Sequence, residues 1–257
     1  MSYLDAIILG VIQGLTEFLP ISSSGHLVLT EAALGVKQPG VSFEVILHLG
    51  TLFSVLVYFR SRIIALVRSV FTKDMRQERA IVGYLILGTI PAGIVGLLFK
   101  DFFERAFSDP RLTSIMLLVT GVILLLPRFV KKRNDNLSIR SALLMGLGQA
   151  AAIFPGISRS GSTIAIGMMS RVEPGLAAEF SFLLSIPAIG GAAILSLSDL
   201  SLADSGVIGQ YLLGALFAFI FGIAAVYLVL SAVRKGKFEY FAFYCFAAGL
   251  FGLYLFF

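Results

Sequence analysis

Four long stretches of this chain contain no charged residue, and each is long enough to cross a lipid bilayer as a helix. A hydrocarbon layer about 30 Å thick needs about 20 mostly apolar residues per helix. Together with two shorter or partly polar stretches they give six predicted spans: 43–59, 80–99, 112–126, 180–198, 205–233 and 240–257. Hydrophobic residues make up 58% of the 257 residues and charged residues 14%, which is too apolar for a soluble domain. The sequence therefore predicts an all-α, polytopic membrane protein.

Two further apolar stretches, 4–34 and 141–169, are interrupted by proline, glycine and serine. The first is broken at Pro20 and the serines that follow it, and the second at Pro155 and Gly156. A backbone break at membrane depth persists only where protein or a watery cavity satisfies its freed N–H and C=O groups, so broken segments usually line a site. We therefore predict two re-entrant helix–loop–helix elements in addition to the six transmembrane helices.

Basic residues are concentrated in three of the loops between spans. These residues are Arg60, Arg62, Arg68, Lys73, Arg76 and Arg79 in the first loop, Arg128, Lys131, Lys132, Arg133 and Arg140 in the second, and Arg234, Lys235 and Lys237 in the third. The positive-inside rule makes these loops cytoplasmic. The charge-balanced loop at 100–111 and the acidic loop around Asp199 and Asp204 then face outward. Both termini are predicted to lie outside the cytoplasm.

The two broken elements align when the chain is shifted by 136 residues. The identical pairs are Gly10 and Gly146, Gln13 and Gln149, Phe18 and Phe154, Ile21 and Ile157, Ser22 and Ser158, Ser24 and Ser160, and Gly25 and Gly161. Three predicted spans separate the copies, and an odd number of crossings inverts the second copy. The sequence thus favours an inverted-topology repeat of about 1–127 and 137–257 within one membrane domain, the alternative being a chance recurrence of Gly and Ser.

The copies differ in their charged residues, which indicates where chemistry takes place. Copy one carries Glu17 and His26, and copy two carries Arg159. Charges inside a membrane are costly and are usually functional or paired, so a structural Glu17–Arg159 ion pair is the alternative to a site. Hydroxyl groups crowd both breaks: Ser22, Ser23, Ser24, Ser158, Ser160, Ser162 and Thr163. Hydroxyls, helix N-termini and a guanidinium suit a phosphate-like anion, and we expect Glu17, Ser23, His26 and Arg159 to converge in one cavity.

Several chemical roles are consistent with these residues. Ser23 or His26 is a candidate nucleophile towards phosphorus, and Glu17 is a candidate general base or metal ligand with Gln13 as a supporting oxygen donor. A divalent cation held by Glu17 and phosphate oxygens agrees with the few carboxylates present. Glu44 and His48, four residues apart in one span, either support the site or bond to each other.

The run from 13 to 26 and the run from 155 to 163 resemble the two signature motifs of the bacterial undecaprenyl-diphosphate phosphatases of the bacitracin-resistance type. The resemblance covers the whole chain in length, span number and motif spacing. It implies a phosphatase of the bacterial inner membrane that removes the terminal phosphate of a polyprenyl diphosphate and recycles the lipid carrier of peptidoglycan synthesis. It also implies a divalent cation, Mg²⁺ or Ca²⁺, and a site that opens toward the outer leaflet.

The same resemblance assigns roles residue by residue. Ser23 and His26 correspond to the nucleophile and the essential histidine, Arg159 to the phosphate-binding arginine, and Glu17 to the second acidic residue of a metal-binding pair whose first position is Gln13 here. The substrate-binding hydroxyls would be those of Ser22, Ser24, Ser158, Ser160 and Thr163. Gln13 in place of a glutamate weakens a two-carboxylate metal site.

A transporter or flippase of an anionic lipid is the rival reading, because inverted repeats with broken helices are common in transporters. The nucleophile beside a carboxylate favours the enzyme. No soluble basic surface remains for nucleic acid, and one cysteine excludes an intrachain disulfide. The expected partners are the polyprenyl substrate and membrane lipid, with a homodimer left open.

Overall fold

In the computed structural model, the described residues are 1–34, 41–107, 109–130, 136–195 and 208–256. Within these ranges the chain forms twelve α-helices and one short 3₁₀ turn, with no β-strand. The helices are α1 (Tyr3–Phe18), α2 (Ser23–Leu34), α3 (Val41–Tyr58), α4 (Arg60–Phe71), α5 (Arg76–Leu98), α6 (Lys100–Phe107), α7 (Pro110–Leu125), α8 (Ile139–Ala151), α9 (Arg159–Met169), α10 (Pro174–Leu195), α11 (Ile208–Arg234) and α12 (Tyr240–Phe256). The all-α prediction is confirmed for the described part of the chain.

Four helices are long and apolar enough to cross a membrane: α5, α7 with the 3₁₀ turn after it, α10 and α11. They match four of the six predicted spans, and they make the chain a multi-pass membrane protein. Helix α12 is apolar but shorter, and α3 qualifies only together with α4 as a bent pair. Residues 131–135 and 196–207, whose charges are part of the pattern used for orientation, lie outside the described residues. The arrangement of six spans and two re-entrant elements therefore stays a prediction.

The predicted span 43–59 does not continue straight into the basic loop. The chain bends by 79° between α3 and α4, and the segment expected to be loop forms the helix α4. Arginines at 60, 62 and 68 alternate in α4 with apolar residues such as Ile64 and Val67, whose side chains are exposed. The exposed face of α4 thus mixes arginines with apolar side chains, and long basic side chains beside apolar ones are common where a helix lies at a membrane interface.

Both broken elements begin at equivalent positions, and their second helices also start at equivalent positions, whereas α8 ends three residues earlier than the equivalent of the end of α1. Capping boxes start α1 at Ser2 and α8 at Ser138, 136 residues apart. Helix α1 ends at Phe18 and α2 begins at Ser23, while α8 ends at Ala151 and α9 begins at Arg159. The interruptions thus fall where proline and the serine runs predicted them, because proline lacks an N–H and serine competes for backbone hydrogen bonds.

The backbone groups freed at the breaks are bound by side chains from other helices. Thr120 of α7 donates its hydroxyl to the Gly156 carbonyl at 2.7 Å and accepts the Ser158 N–H at 3.0 Å. Cys245 of α12 donates its thiol to the Pro20 carbonyl at 3.7 Å. The Ser160 hydroxyl donates to the Leu19 carbonyl at 3.1 Å, which joins one break to the other. Protein groups therefore supply the hydrogen bonds that lipid cannot.

Close helix crossings hold the first helix of each broken element. A Cβ added at Gly10 would collide with the backbone of Gly214 in α11, and one added at Gly146 would collide with that of Gly88 in α5. Only glycine allows backbones to approach this closely. Phe18, at the end of α1, packs edge-to-face on Phe182 with ring centroids 5.6 Å apart. These contacts fix the end of α1, where Glu17 lies.

Candidate active site

The carboxylate of Glu17 is the point where the two serine-rich motifs meet. It lies in the last turn of α1 and is only 7% exposed. Arg159 donates from Nη2 to Glu17 Oε1 at 2.6 Å, and Ser23 donates its hydroxyl to Glu17 Oε2 at 2.6 Å. Three of the four side chains predicted to converge are therefore in direct contact, although they come from three different helices.

Gln13 lies one turn before Glu17 on the buried face of α1. Its Nε2 donates to Glu17 Oε2 at 3.1 Å. Its Oε1 has no hydrogen-bond partner within the described part of the chain, although the residue is completely buried. A buried acceptor without a donor is costly, so this oxygen marks a place where a ligand is expected.

Arg159 is the first residue of α9 and is held from two sides. Besides Glu17, its guanidinium donates from Nη1 to the Ser181 carbonyl of α10 at 3.4 Å. The Ser181 hydroxyl is 2.6 Å from the Thr163 hydroxyl, one turn after Arg159. Ser181 was not singled out in the sequence because no motif surrounds it. With 15% of its side chain exposed, Arg159 keeps a guanidinium face for an anion.

The serine turns that start α2 and α9 have the same hydrogen bonds. Ser22 Oγ accepts the Gly25 N–H at 3.2 Å and lies 3.3 Å from Ser24 Oγ. The same two contacts join Ser158 to Gly161 at 3.0 Å and to Ser160 at 3.3 Å. Ser22 and Ser158 therefore cap their helices as well as standing at the predicted site. Ser22 adopts a positive φ of 69°, which is rare for a non-glycine residue and typical of functional turns.

His26 is oriented differently from the expectation. Its Nδ1 donates to the Ser22 carbonyl at 2.7 Å, and its Nε2 accepts the Tyr244 hydroxyl of α12 at 2.9 Å. The two rings are stacked with centroids 5.6 Å apart. Within the described part of the chain, no hydrogen bond or ion pair joins His26 to Glu17, because both ring nitrogens are engaged elsewhere. Tyr244 is a site residue that sequence reasoning missed.

His48 of α3 occupies the place beside Glu17 that was expected for His26. Its Nε2 lies 3.7 Å from Glu17 Oε2. Its Nδ1 lies 2.7 Å from the backbone carbonyl of Glu44 and must donate to it, since a carbonyl only accepts. The expected Glu44–His48 pairing thus uses the backbone of Glu44 and leaves the imidazole facing the site.

A metal site built from protein ligands alone is absent in the described residues. No group of three or more His, Cys, Asp or Glu side chains is placed to hold an ion there. Gln13 contacts Glu17 through its amide nitrogen, and the other amide atom, Oε1, is left without a partner in the same buried side chain. This set fits a hard divalent cation that takes most of its remaining ligands from substrate phosphates and water.

A mostly apolar cavity of about 570 Å³ lies beside the end of α1. It is lined by Leu15, Thr16, Leu19, Ile21, Ala232, Lys237, Tyr240, Phe241 and Tyr244. Its volume is in the range of small-ligand sites. Tyr244 connects the cavity wall to His26, so an apolar compartment adjoins the polar cluster.

Comparisons with known proteins agree along nearly the whole chain. The family model described as bacitracin resistance protein BacA matches residues 6–251. The chain is 45% identical over 255 residues to a protein of Syntrophotalea carbinolica named undecaprenyl-diphosphatase, with 97% of each chain covered. Proteins with the same name from Salinibacter ruber and Desulforapulum autotrophicum are 41% and 42% identical, with 97–100% of each chain covered.

Proposed function

The chain belongs to the bacitracin resistance protein BacA family, and from this membership and the geometry around Glu17 we propose that it is an undecaprenyl-diphosphatase. It hydrolyses the terminal phosphoanhydride bond of undecaprenyl diphosphate and releases undecaprenyl phosphate and inorganic phosphate. The monophosphate is the lipid carrier of peptidoglycan synthesis, so the activity links this protein to cell-wall formation and to bacitracin resistance. One observation carries the mechanism: a serine hydroxyl and a guanidinium are held on opposite oxygens of one buried carboxylate.

The diphosphate is bound by the positive groups at the two breaks. The guanidinium of Arg159 forms a planar donor for phosphate oxygens, which matches their geometry better than an ammonium group does. The N-termini of α2 and α9 direct N–H groups and the positive ends of their dipoles to the same region. Ser24 adds a hydroxyl group, and Ser22 and Ser158 hold the turns in shape. The predicted substrate contacts of Ser160 and Thr163 are not formed as expected, because their hydroxyl groups are engaged by the Leu19 carbonyl and by Ser181.

Ser23 is the nucleophile that the geometry favours over His26. Its hydroxyl already donates to Glu17 Oε2 at 2.6 Å, so the carboxylate accepts the proton as the serine oxygen attacks the terminal phosphorus. The bond from that phosphorus to the bridging oxygen breaks, and undecaprenyl phosphate leaves with the proton that Glu17 passes to its oxygen, so that the carboxylate is free again. Water then attacks the phosphoserine with Glu17 as its base, which releases inorganic phosphate and restores the serine. In contrast, both nitrogens of His26 are occupied by Ser22 and Tyr244.

A divalent cation, Mg²⁺ or Ca²⁺ by family resemblance, is part of this proposal. Gln13 and Glu17 would hold it, and it would neutralise charge on the diphosphate. The unpartnered Oε1 of Gln13 supports this assignment.

The position of the site in the membrane is also a proposal. The chain lies in the bacterial inner membrane with both termini outside and the site open to the outer leaflet, and the halves 1–127 and 137–257 form an inverted repeat. The equivalent capping boxes and serine turns support the repeat.

The native Cys245 is buried, so a single new cysteine reports on topology. A membrane-impermeant maleimide added to spheroplasts should label Ser2→Cys and leave Lys235→Cys unlabelled.

The apolar cavity beside α1 adjoins the last turn of that helix, but its wall includes Lys237 of the third basic loop. In the proposed orientation that loop is cytoplasmic, so this cavity is not assigned to the prenyl chain of a substrate that enters from the outer leaflet.

The decisive experiment measures phosphate release from undecaprenyl diphosphate by the purified protein in detergent, with and without a chelator. Release by the parent should be lost with the chelator and in Glu17→Ala, Ser23→Ala and Arg159→Ala, by about 10²-fold or more for the loss of the base. Brief reaction with ³²P-labelled substrate followed by acid quenching separates the nucleophiles, since phosphoserine survives acid and phosphohistidine does not.

No release from a folded parent that binds the lipid would overturn the proposed function. The next measurement would then be lipid flipping in sealed vesicles. No contact in the described residues favours that transporter reading, and the relatives are named as hydrolases.

A further inference from the structure

We propose that His48 is a nitrogen ligand of the divalent cation, completing a three-residue set with Glu17 and Gln13. The proposal rests on the proposed function for the presence of a cation and adds a ligand outside both serine-rich motifs. It follows from three observations: the orientation of the imidazole, the distances around Glu17 Oε2, and the unpartnered amide oxygen of Gln13.

The imidazole of His48 is held in the way that metal-binding histidines are held. Its Nδ1 donates to the Glu44 carbonyl at 2.7 Å, which leaves the lone pair of Nε2 directed away from that bond. Histidines that ligate metals nearly always fix their second ring nitrogen on a carbonyl or carboxylate in this manner. The backbone of α3 thus determines both the tautomer and the direction of the ring.

Nε2 of His48 and Oε2 of Glu17 face each other across 3.7 Å. This separation is too long for a hydrogen bond, and a cation between the two atoms would bind the neutral imidazole and the carboxylate at once. Two atoms that are each about 2.1 Å from one ion are at most about 4.2 Å apart. The separation of 3.7 Å is therefore short enough for both atoms to bind one ion.

Gln13 supplies the third donor. Its amide nitrogen Nε2 donates to the same Glu17 oxygen at 3.1 Å, so a turn of the amide group would bring the unpartnered, fully buried Oε1 to the cation. A cation that binds this oxygen removes the free-energy cost of burying an acceptor without a donor. His48 is about 31% exposed, which leaves room on its side of the site for phosphate oxygens and water.

A nitrogen ligand changes the class of cation that the site prefers. Mg²⁺ and Ca²⁺ bind oxygen ligands almost exclusively, whereas imidazole suits transition metals. A mixed set of carboxylate, amide and imidazole therefore favours Mn²⁺ over Mg²⁺ and Ca²⁺. This specificity arises from α3, which contributes no residue to either motif.

Pulsed EPR of Mn²⁺ bound to the full chain in detergent tests the proposal directly. The parent should show modulation from a directly coordinated ¹⁴N nucleus, and His48→Gln should lose it. His26→Gln is the matched control, because His26 is the second of the two histidines and both its nitrogens are engaged elsewhere. The affinity for Mn²⁺ alone should fall about tenfold or more in His48→Gln and stay unchanged in His26→Gln.

A second variant guards against misfolding of the first. His48→Glu replaces the nitrogen by an oxygen ligand, so the ratio of Mn²⁺ to Mg²⁺ affinity should fall while binding persists. Bound Mn²⁺ without ¹⁴N modulation in the parent, or modulation that persists in His48→Gln, would overturn the proposal. Phosphate release measured on the same preparations is a separate readout: hydrolysis without the ¹⁴N signal refutes only the ligand assignment, and the signal without hydrolysis refutes only the proposed function.

Discussion

The carboxylate of Glu17 and the guanidinium of Arg159 are 142 residues apart in the chain and 2.6 Å apart in space. The pair joins the end of α1 to the start of α9, so each broken element contributes one charge to the same buried point. Taking either charge out of water is costly, and the other offsets that cost. The contact is therefore both the structural link between the motifs and the anchor of the proposed site.

Variants of this pair should separate its two roles. Glu17→Gln or Arg159→Gln alone leaves one buried charge unpaired, which should lower the free energy of unfolding by about 3–5 kcal/mol. The double variant removes both charges and should recover most of that loss. Phosphate release should be absent in all three variants, because each of them lacks the carboxylate base, the phosphate-binding guanidinium, or both. Thermal unfolding in detergent and phosphate assays measure the two effects, and a double variant no more stable than the singles would contradict the prediction.

Tyr244→Phe tests whether His26 acts through its bond to α12. Removing the hydroxyl frees Nε2 of His26 and costs one neutral hydrogen bond, so kcat should fall by about 2- to 10-fold with little change in KM. Tyr254→Phe on the same helix is the matched control, since this tyrosine is highly exposed. The effects of Tyr244→Phe and His26→Gln should not add. Full additivity would show that the two residues act independently.

Thr120→Val should destabilise the second break. The substitution keeps the shape of the side chain but leaves the Gly156 carbonyl and the Ser158 N–H without their partner. Each buried unpaired group costs about 1–3 kcal/mol, so the apparent melting temperature should fall by several degrees. Thr89→Val is the control, because the Thr89 hydroxyl donates only to Leu85 within its own helix. Equal effects of the two substitutions would argue against a special role for Thr120.

Gly10→Ala should separate α1 from α11. The new methyl group would collide with the backbone of Gly214, and overpacking of this kind typically costs about 1–3 kcal/mol. Because α1 carries Gln13 and Glu17, phosphate release should fall together with stability. Gly93→Ala in α5 has open space around its Cβ and should leave both unchanged. Thermal unfolding and phosphate release are measured for both variants, and equal values for Gly10→Ala and Gly93→Ala would contradict the prediction.

The sequence was most informative about the two broken elements. Proline and serine act locally on the backbone, so the breaks at Pro20 and Pro155 fell where they were expected. The meeting of Glu17 with Arg159 was also predictable, because isolated charges at membrane depth require partners. The bend between α3 and α4 was not expected, since a hydropathy pattern records the length of a span and not the direction in which the chain leaves it.

The surroundings of the motif residues could not be derived from the motifs. Tyr244, Ser181 and His48 reach the site from α12, α10 and α3, and each position depends on how whole helices pack. His26 was grouped with Glu17 because it is close in sequence, yet the Tyr244 hydroxyl and the Ser22 carbonyl hold its ring elsewhere. A ring's orientation is decided by tertiary partners, which sequence spacing does not contain.

The thiol of Cys245 and the carbonyl of Pro20 are separated by 225 residues. At a synthesis rate of about 5–20 residues per second, the first break waits roughly 10–45 s on the ribosome before its partner exists. During that time the Pro20 carbonyl lies in the membrane without the Cys245 thiol that finally donates to it. Completion of the site is thus tied to the arrival of the last helix, and a chain truncated before α12 should insert without becoming competent.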